Sequence, residues 1–166
     1  AGVFTANAGF SAFGATCAIA GPSTTLANWN FGAYVGGLDA SDLVFSLFYD
    51  FNPASGNDQS THGSASSSGS GLTVPAQSSN NLGFGFLGVT NPFLGIVAPV
   101  GTFDPTVNGQ YSFALVAYAP VFQAAPREVA RAAIVVNVTG GRNDVPTPGT
   151  LALVGVALLL SLIHIS

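Results

Sequence analysis

The sequence predicts an all-β protein, a β-sandwich of jelly-roll-like kind, followed by a C-terminal apolar helix. Three observations carry this. Short runs of β-branched and aromatic residues alternate apolar with small or polar side chains, the period of a strand. The chain holds 21 glycines and 10 prolines, the punctuation of many turns. Its last apolar run, Leu151 to Ile163, is interrupted only by Gly155 and Ser161 and has no polar stripe.

The strongest strand is DLVFSLFYDF, 42–51. Leu43, Phe45, Leu47 and Tyr49 line one face, while Val44 and Phe48 make the other partly apolar, as in a central strand covered on both sides. QYSFALVAYA, 110–119, sets Tyr111, Phe113, Leu115 and Ala117 against Ser112, Ala114, Val116 and Tyr118, with VNG at 107–109 as the turn before it. EVARAAIVVNVT, 128–139, places Ile134, Val136 and Val138 on one side; its first half has helical features after Pro126, but IVVNV favours a strand. Further strands are expected at 11–20, 26–35 and 81–89. Between them, 52–80 is Ser/Gly-rich and nearly free of large apolar groups, and is expected as a flexible loop with LTV at 72–74 as a candidate edge strand. The organisation expected is a body over 1–140, a Pro/Gly linker over 141–150 and an apolar segment over 151–166.

Charge excludes one class of partner. Only ten residues are charged, none is lysine and the net charge is −4, so no nucleic-acid-binding face can be assembled. The 48% hydrophobic content excludes general disorder. With one cysteine, Cys17, no internal disulfide forms, and a small buried side chain is expected there rather than a lipid anchor. The chain has no methionine, and truncation is expected at its start and at its closing SLIHIS.

Catalytic chemistry finds little to work with. A Ser-His-Asp set would recruit His62, Asp58 and one of many serines, but no G-x-S-x-G turn follows a strand. Glu128 is the sole glutamate and sits beside Arg127 and Arg131, the pattern of a structural ion pair rather than half of a glycosidase pair. No zinc set exists, and no enzyme activity or obligatory cofactor is expected. The candidate for a hard cation such as calcium is the loop DFNPASGND, with oxygen ligands from Asp50, Asn52, Asn57 and Asp58; it lacks the order of an EF-hand. The candidate glycan platform is Trp29, Phe31 and Tyr34, with Trp29 and Phe31 on one face of a strand.

The tail supplies the most specific signal. A helix over 151–163 spans about 20 Å, and one over 150–166 about 25 Å, against roughly 30 Å of bilayer hydrocarbon. Val145, Pro146, Thr147 and Pro148, followed by the membrane-seeking Leu151, Leu153, Val154, Val156, Leu158, Leu159, Leu160 and Leu162, resemble the PEP-CTERM sorting signal. Thr147 stands where that family carries glutamate, and the family's closing basic cluster is not within the sequence. The resemblance covers about 145–162. It implies an exported Gram-negative envelope or extracellular-matrix protein, of the biofilm type, held at the inner membrane and then processed by an exosortase-like transpeptidase to the cell surface or beyond. Exopolysaccharide is the expected matrix partner; the alternative is a secreted carbohydrate-binding module, calcium-dependent in one form.

Overall fold

A computed structural model describes residues 2–12, 23–36, 43–56, 59–66, 76–119 and 125–141. Eight strands appear: β1 (Gly2–Asn7), β2 (Phe31–Val35), β3 (Val44–Tyr49), β4 (Gly63–Ser66), β5 (Ala76–Asn80), β6 (Ile96–Val97), β7 (Gly109–Ala119) and β8 (Arg127–Thr139). Six form one sheet in the order β1-β8-β7-β3-β4-β6, and β2 pairs with β5 in a second. The β1–β8 pairing is parallel and every other pairing antiparallel.

The long β7–β8 hairpin is the spine, and its alternation matches the sequence. Tyr111 and Phe113 point into the core while Ser112 and Ala114 turn to the other face; Val136 and Val138 follow the same rule on β8. β8 is extended from Arg127 onward, so the helical start does not occur: its first residues complete the ladder, ending at Ala119 opposite Arg127. The register slips once, because Ala117 faces Ala130 while Tyr118 faces Glu128, leaving Val129 as the extra residue of a bulge. That extra residue brings Glu128 and Arg131 to the same side, where they form the expected ion pair at 2.8 Å.

β3 lies between β7 and β4, the interior position its apolar faces predict, with Tyr49 and Phe45 buried on the core side and Ser46 on the other. The two-stranded sheet covers the same core side, since Phe31 of β2 stacks on Phe113 of β7 with ring centroids 4.3 Å apart. Around that contact Tyr49, Phe51, Leu82, Leu87, Tyr111, Val136 and Val138 form one cluster. Each such side chain removed from water contributes about 1.5–3 kcal/mol.

Three expectations are corrected. The stretch 52–80 is not one loop: it contains β4, β5 and a short 3-10 turn at Gln59–Thr61. Small residues are what this edge requires. A Cβ on Gly63 would meet Pro99 and the Val97 carbonyl at 2.6–2.7 Å, and Ser66 shares a 2.7 Å hydroxyl contact with Ser46 of β3. The stretch 81–89 is not a strand but holds a 3-10 turn at Gly85–Gly88. Its alternation fails as a strand because Asn81 is turned inward, accepting from the Ala27 and Gly83 amides and donating to the Ala27 and Trp29 carbonyls and Asn30 Oδ1, all within 3.0 Å. Of 26–35, only Phe31–Val35 is a strand, with Ala27 making an isolated bridge to Phe10. The opening GVFTAN, to which the sequence assigns no element, is the edge strand β1.

Of the expected strand at 11–20, Ser11 and Ala12 are described and are not in a strand, while 13–20, the LTV segment and the whole of 142–166, including the expected apolar helix, lie outside the described residues. Among the described residues no helix is long and apolar enough to cross a membrane.

Candidate functional site

Of the two candidate sites in the body, the cation set is described only in part, and the aromatic set is divided between core and surface. Of the cation set, Asn57 and Asp58 lie outside the described residues. Asn52 Oδ1 accepts the Ala54 amide at 3.0 Å, a local turn. Asp50 is buried and turned to β7. No group of three His, Cys, Asp or Glu side chains that could hold a metal occurs among the described residues. In the aromatic set, Trp29 and Phe31 do share a face, but it is the inward one: both rings contact Phe113, and Trp29 also packs against Phe103 and Tyr111. Tyr34 alone is strongly exposed. Trp29 and Phe31 line one side of a cleft of about 400 Å³ with Phe4 and Ile134, while Tyr34 stands apart from it, so the three do not form one flat platform.

A different constellation forms on the opposite face. The pairing of Tyr49 with Gly63 sets Asp50, one residue past β3, across from His62, one residue before β4. Ser112 of β7 lies beside them. Its amide and hydroxyl both donate to Asp50 Oδ2, at 2.9 and 2.5 Å, and His62 Nε2 lies 3.3 Å from both the Ser112 hydroxyl and the same carboxylate oxygen. Phe48, Gln59, Ala133 and Val135 join His62 and Ser112 around a cleft of about 180 Å³.

This is not a proton relay. A catalytic triad needs the imidazole between hydroxyl and carboxylate, one ring nitrogen to each. Here one nitrogen faces both, and Ser112 donates to Asp50 directly. The carboxylate instead extends the ladder past the last backbone pair of β3 and β7, holding a buried polar corner together. Sequence reasoning paired His62 with Asp58 because β4 is hidden in a Ser/Gly run. The position of Asp50, a carboxylate near the end of the strongest apolar strand, was the usable signal.

Two buried phenols flank the core. Tyr49 donates to the Leu87 carbonyl at 2.8 Å, and burial pushes its pKa up to about 12. Tyr111 is likewise pushed up to about 12, by burial first and then by the Asp50 and Asp104 carboxylates.

The exit of the body is fixed by Asn108, from the VNG turn. Its Nδ2 donates to the Gly141 carbonyl at 3.1 Å, and its Oδ1 accepts the Gly141 amide at 2.6 Å. A side chain on Gly141 would strike the Thr106 carbonyl and Ala8. The chain is thus clamped four residues ahead of Val145.

The chain matches no protein-family model, no curated protein and no solved structure.

Proposed function

We propose that the chain is an exported envelope or extracellular-matrix protein of a Gram-negative bacterium, a substrate rather than a catalyst, sorted through its C-terminal segment by an exosortase-like transpeptidase. The observation that carries this reading is the sequence Val145-Pro146-Thr147-Pro148 and its apolar run, placed directly behind the clamped Gly141. In this reading the body is a jelly-roll-like β-sandwich with β2 and β5 in its second layer, and residues 151–162 form a helix that parks in the inner membrane during export. The two prolines keep the junction extended, because the residue before each is disfavoured from helix. A protease-like partner requires such an extended segment. The Asn108 clamp supports the reading because it ties Gly141, the last described residue, to the body just ahead of the motif.

The test is a deletion. Removing residues 145–166 is expected to abolish both membrane retention of the precursor and its processing in a host that carries the transpeptidase. Unchanged retention and processing would refute the sorting role. A second reading, glycan binding, rests on the cleft beside Ser112 and His62. Exopolysaccharide binding that survives filling the cleft by Ala133→Leu would remove it.

A further inference from the structure

The segment Val89–Val100 doubles back as a tight hairpin at the β6 edge of the sheet. The Asn91 and Ile96 backbones bond in both directions at 2.9 Å, and Ala98 donates to the Thr90 hydroxyl at 3.0 Å. Its tip, Pro92–Leu94, is a 3-10 turn capped by Asn91, whose side chain accepts the Phe93 and Leu94 amides. Gly95 closes the turn at φ +64°, and its carbonyl accepts from Ser66. Every feature holds the tip in place, yet it presents apolar side chains to water. Phe93 is 96% exposed and Leu94 58%, with Val89, Val97 and Val100 also exposed along the hairpin.

Charge decides which partner this surface fits. No Asp, Glu, Lys or Arg occurs between Asp58 and Asp104. Asp104, four residues past Val100, is engaged by the Thr106 amide and hydroxyl, Asp50 is buried, and the Glu128–Arg131 pair lies on β8, separated from β6 by β7, β3 and β4, four strand spacings or about 19 Å. That exceeds the Debye length of about 8 Å at physiological salt. A protein interface of ordinary composition surrounds its apolar centre with a polar, solvent-accessible rim. This hairpin is a convex apolar tip without charged residues. Inserting it into a bilayer interface desolvates no charge, and because the turn is already ordered it adds little conformational cost.

The geometry points to the Val89–Val100 hairpin as a lipid-interface anchor, inserting Phe93 and Leu94 into the headgroup–acyl boundary of zwitterionic membranes. The surface is independent of the C-terminal segment, so it stands or falls separately from the sorting reading. In a precursor held at the membrane, it would lay the β6 edge of the body against the bilayer.

The test uses the full chain with Phe93→Trp as a reporter, its signal taken against the parent, whose only tryptophan is the half-buried Trp29. Phosphatidylcholine vesicles are expected to blue-shift the reporter, shield it from iodide and allow quenching by lipids brominated on the acyl chain, with no dependence on added salt. In the otherwise unchanged chain, Phe93→Ser with Leu94→Ser is expected to weaken vesicle partitioning about tenfold or more, set by the apolar area lost. Phe93 is almost wholly in water, so the fold stays intact, as an unchanged circular dichroism spectrum checks. A reporter as open to iodide with vesicles as without overturns the inference. So does a reporter shielded only when sedimentation shows the chain self-associating, which would make the tip a protein contact.

Discussion

Asn81 ties the turn after β5 to the segment before β2 with one amide group. Alanine there leaves the buried Ala27 amide and carbonyl without these bonds, and unsatisfied buried groups cost about 1–3 kcal/mol each. Asn81→Ala is therefore expected to lower the unfolding free energy in urea by roughly 3 kcal/mol or more. The phenols give a pH signature. Tyr49 and Tyr111 have pKa values near 12 in the folded protein against 10 for a free phenol. Between those values the folded state keeps protons that the unfolded chain loses. Their contribution is whole below pH 10 and falls as pH rises toward 12. Denaturation midpoints are expected to drop over that range, and Tyr49→Phe with Tyr111→Phe to flatten the fall. At this scale the sequence was a partial guide. It named Asp50 but not its partners, because Ser112 and His62 approach only through two strand pairings.

At the scale of elements, β7 and β8 were legible because their residues keep a period of two over enough length to mark a face, and β3 because its apolar run on both faces marks a covered strand. β4 and β5 were not. Their sequences, GSAS and AQSSN, carry no hydrophobic pattern, and they are strands because neighbours supply the pairing. Such strands depend on steric fit. Gly95 sits at φ +64°, and a Cβ there would lie 2.5 Å from the Ser66 carbonyl. Gly95→Ala is expected to destabilise the protein by roughly 1–3 kcal/mol in chemical denaturation and to release the Phe93 tip from its fixed position. The β8 bulge gives a second test. Deleting Val129 removes the bulge and leaves Glu128 and Arg131 two positions apart in a regular ladder, still on one face opposite Tyr118 and Val116. The lowered carboxylate pKa of Glu128, caused first by its hydrogen bond from Arg131, is then expected to persist in an NMR titration, and to return to the ordinary range only when Arg131→Ala removes the partner.

For the whole molecule, the all-β class followed from composition and periodicity, whereas the division into six strands and two, with β1 parallel to β8, did not. Parallel pairing joins strands far apart in sequence, here Gly2–Asn7 with Ile134–Thr139, and local pattern carries no record of it. The core draws on strands from β1 to β8. In the proposed life cycle that body is the cargo, and residues 145–162 are its address. The C-terminus of the mature body, read by intact mass after recovery from the cell surface or medium, tests this most directly. A mass ending close to Val145–Pro148, with the run from Leu151 gone, is the expected result. A surface-exposed chain that retains Leu151 to Leu162 would contradict it.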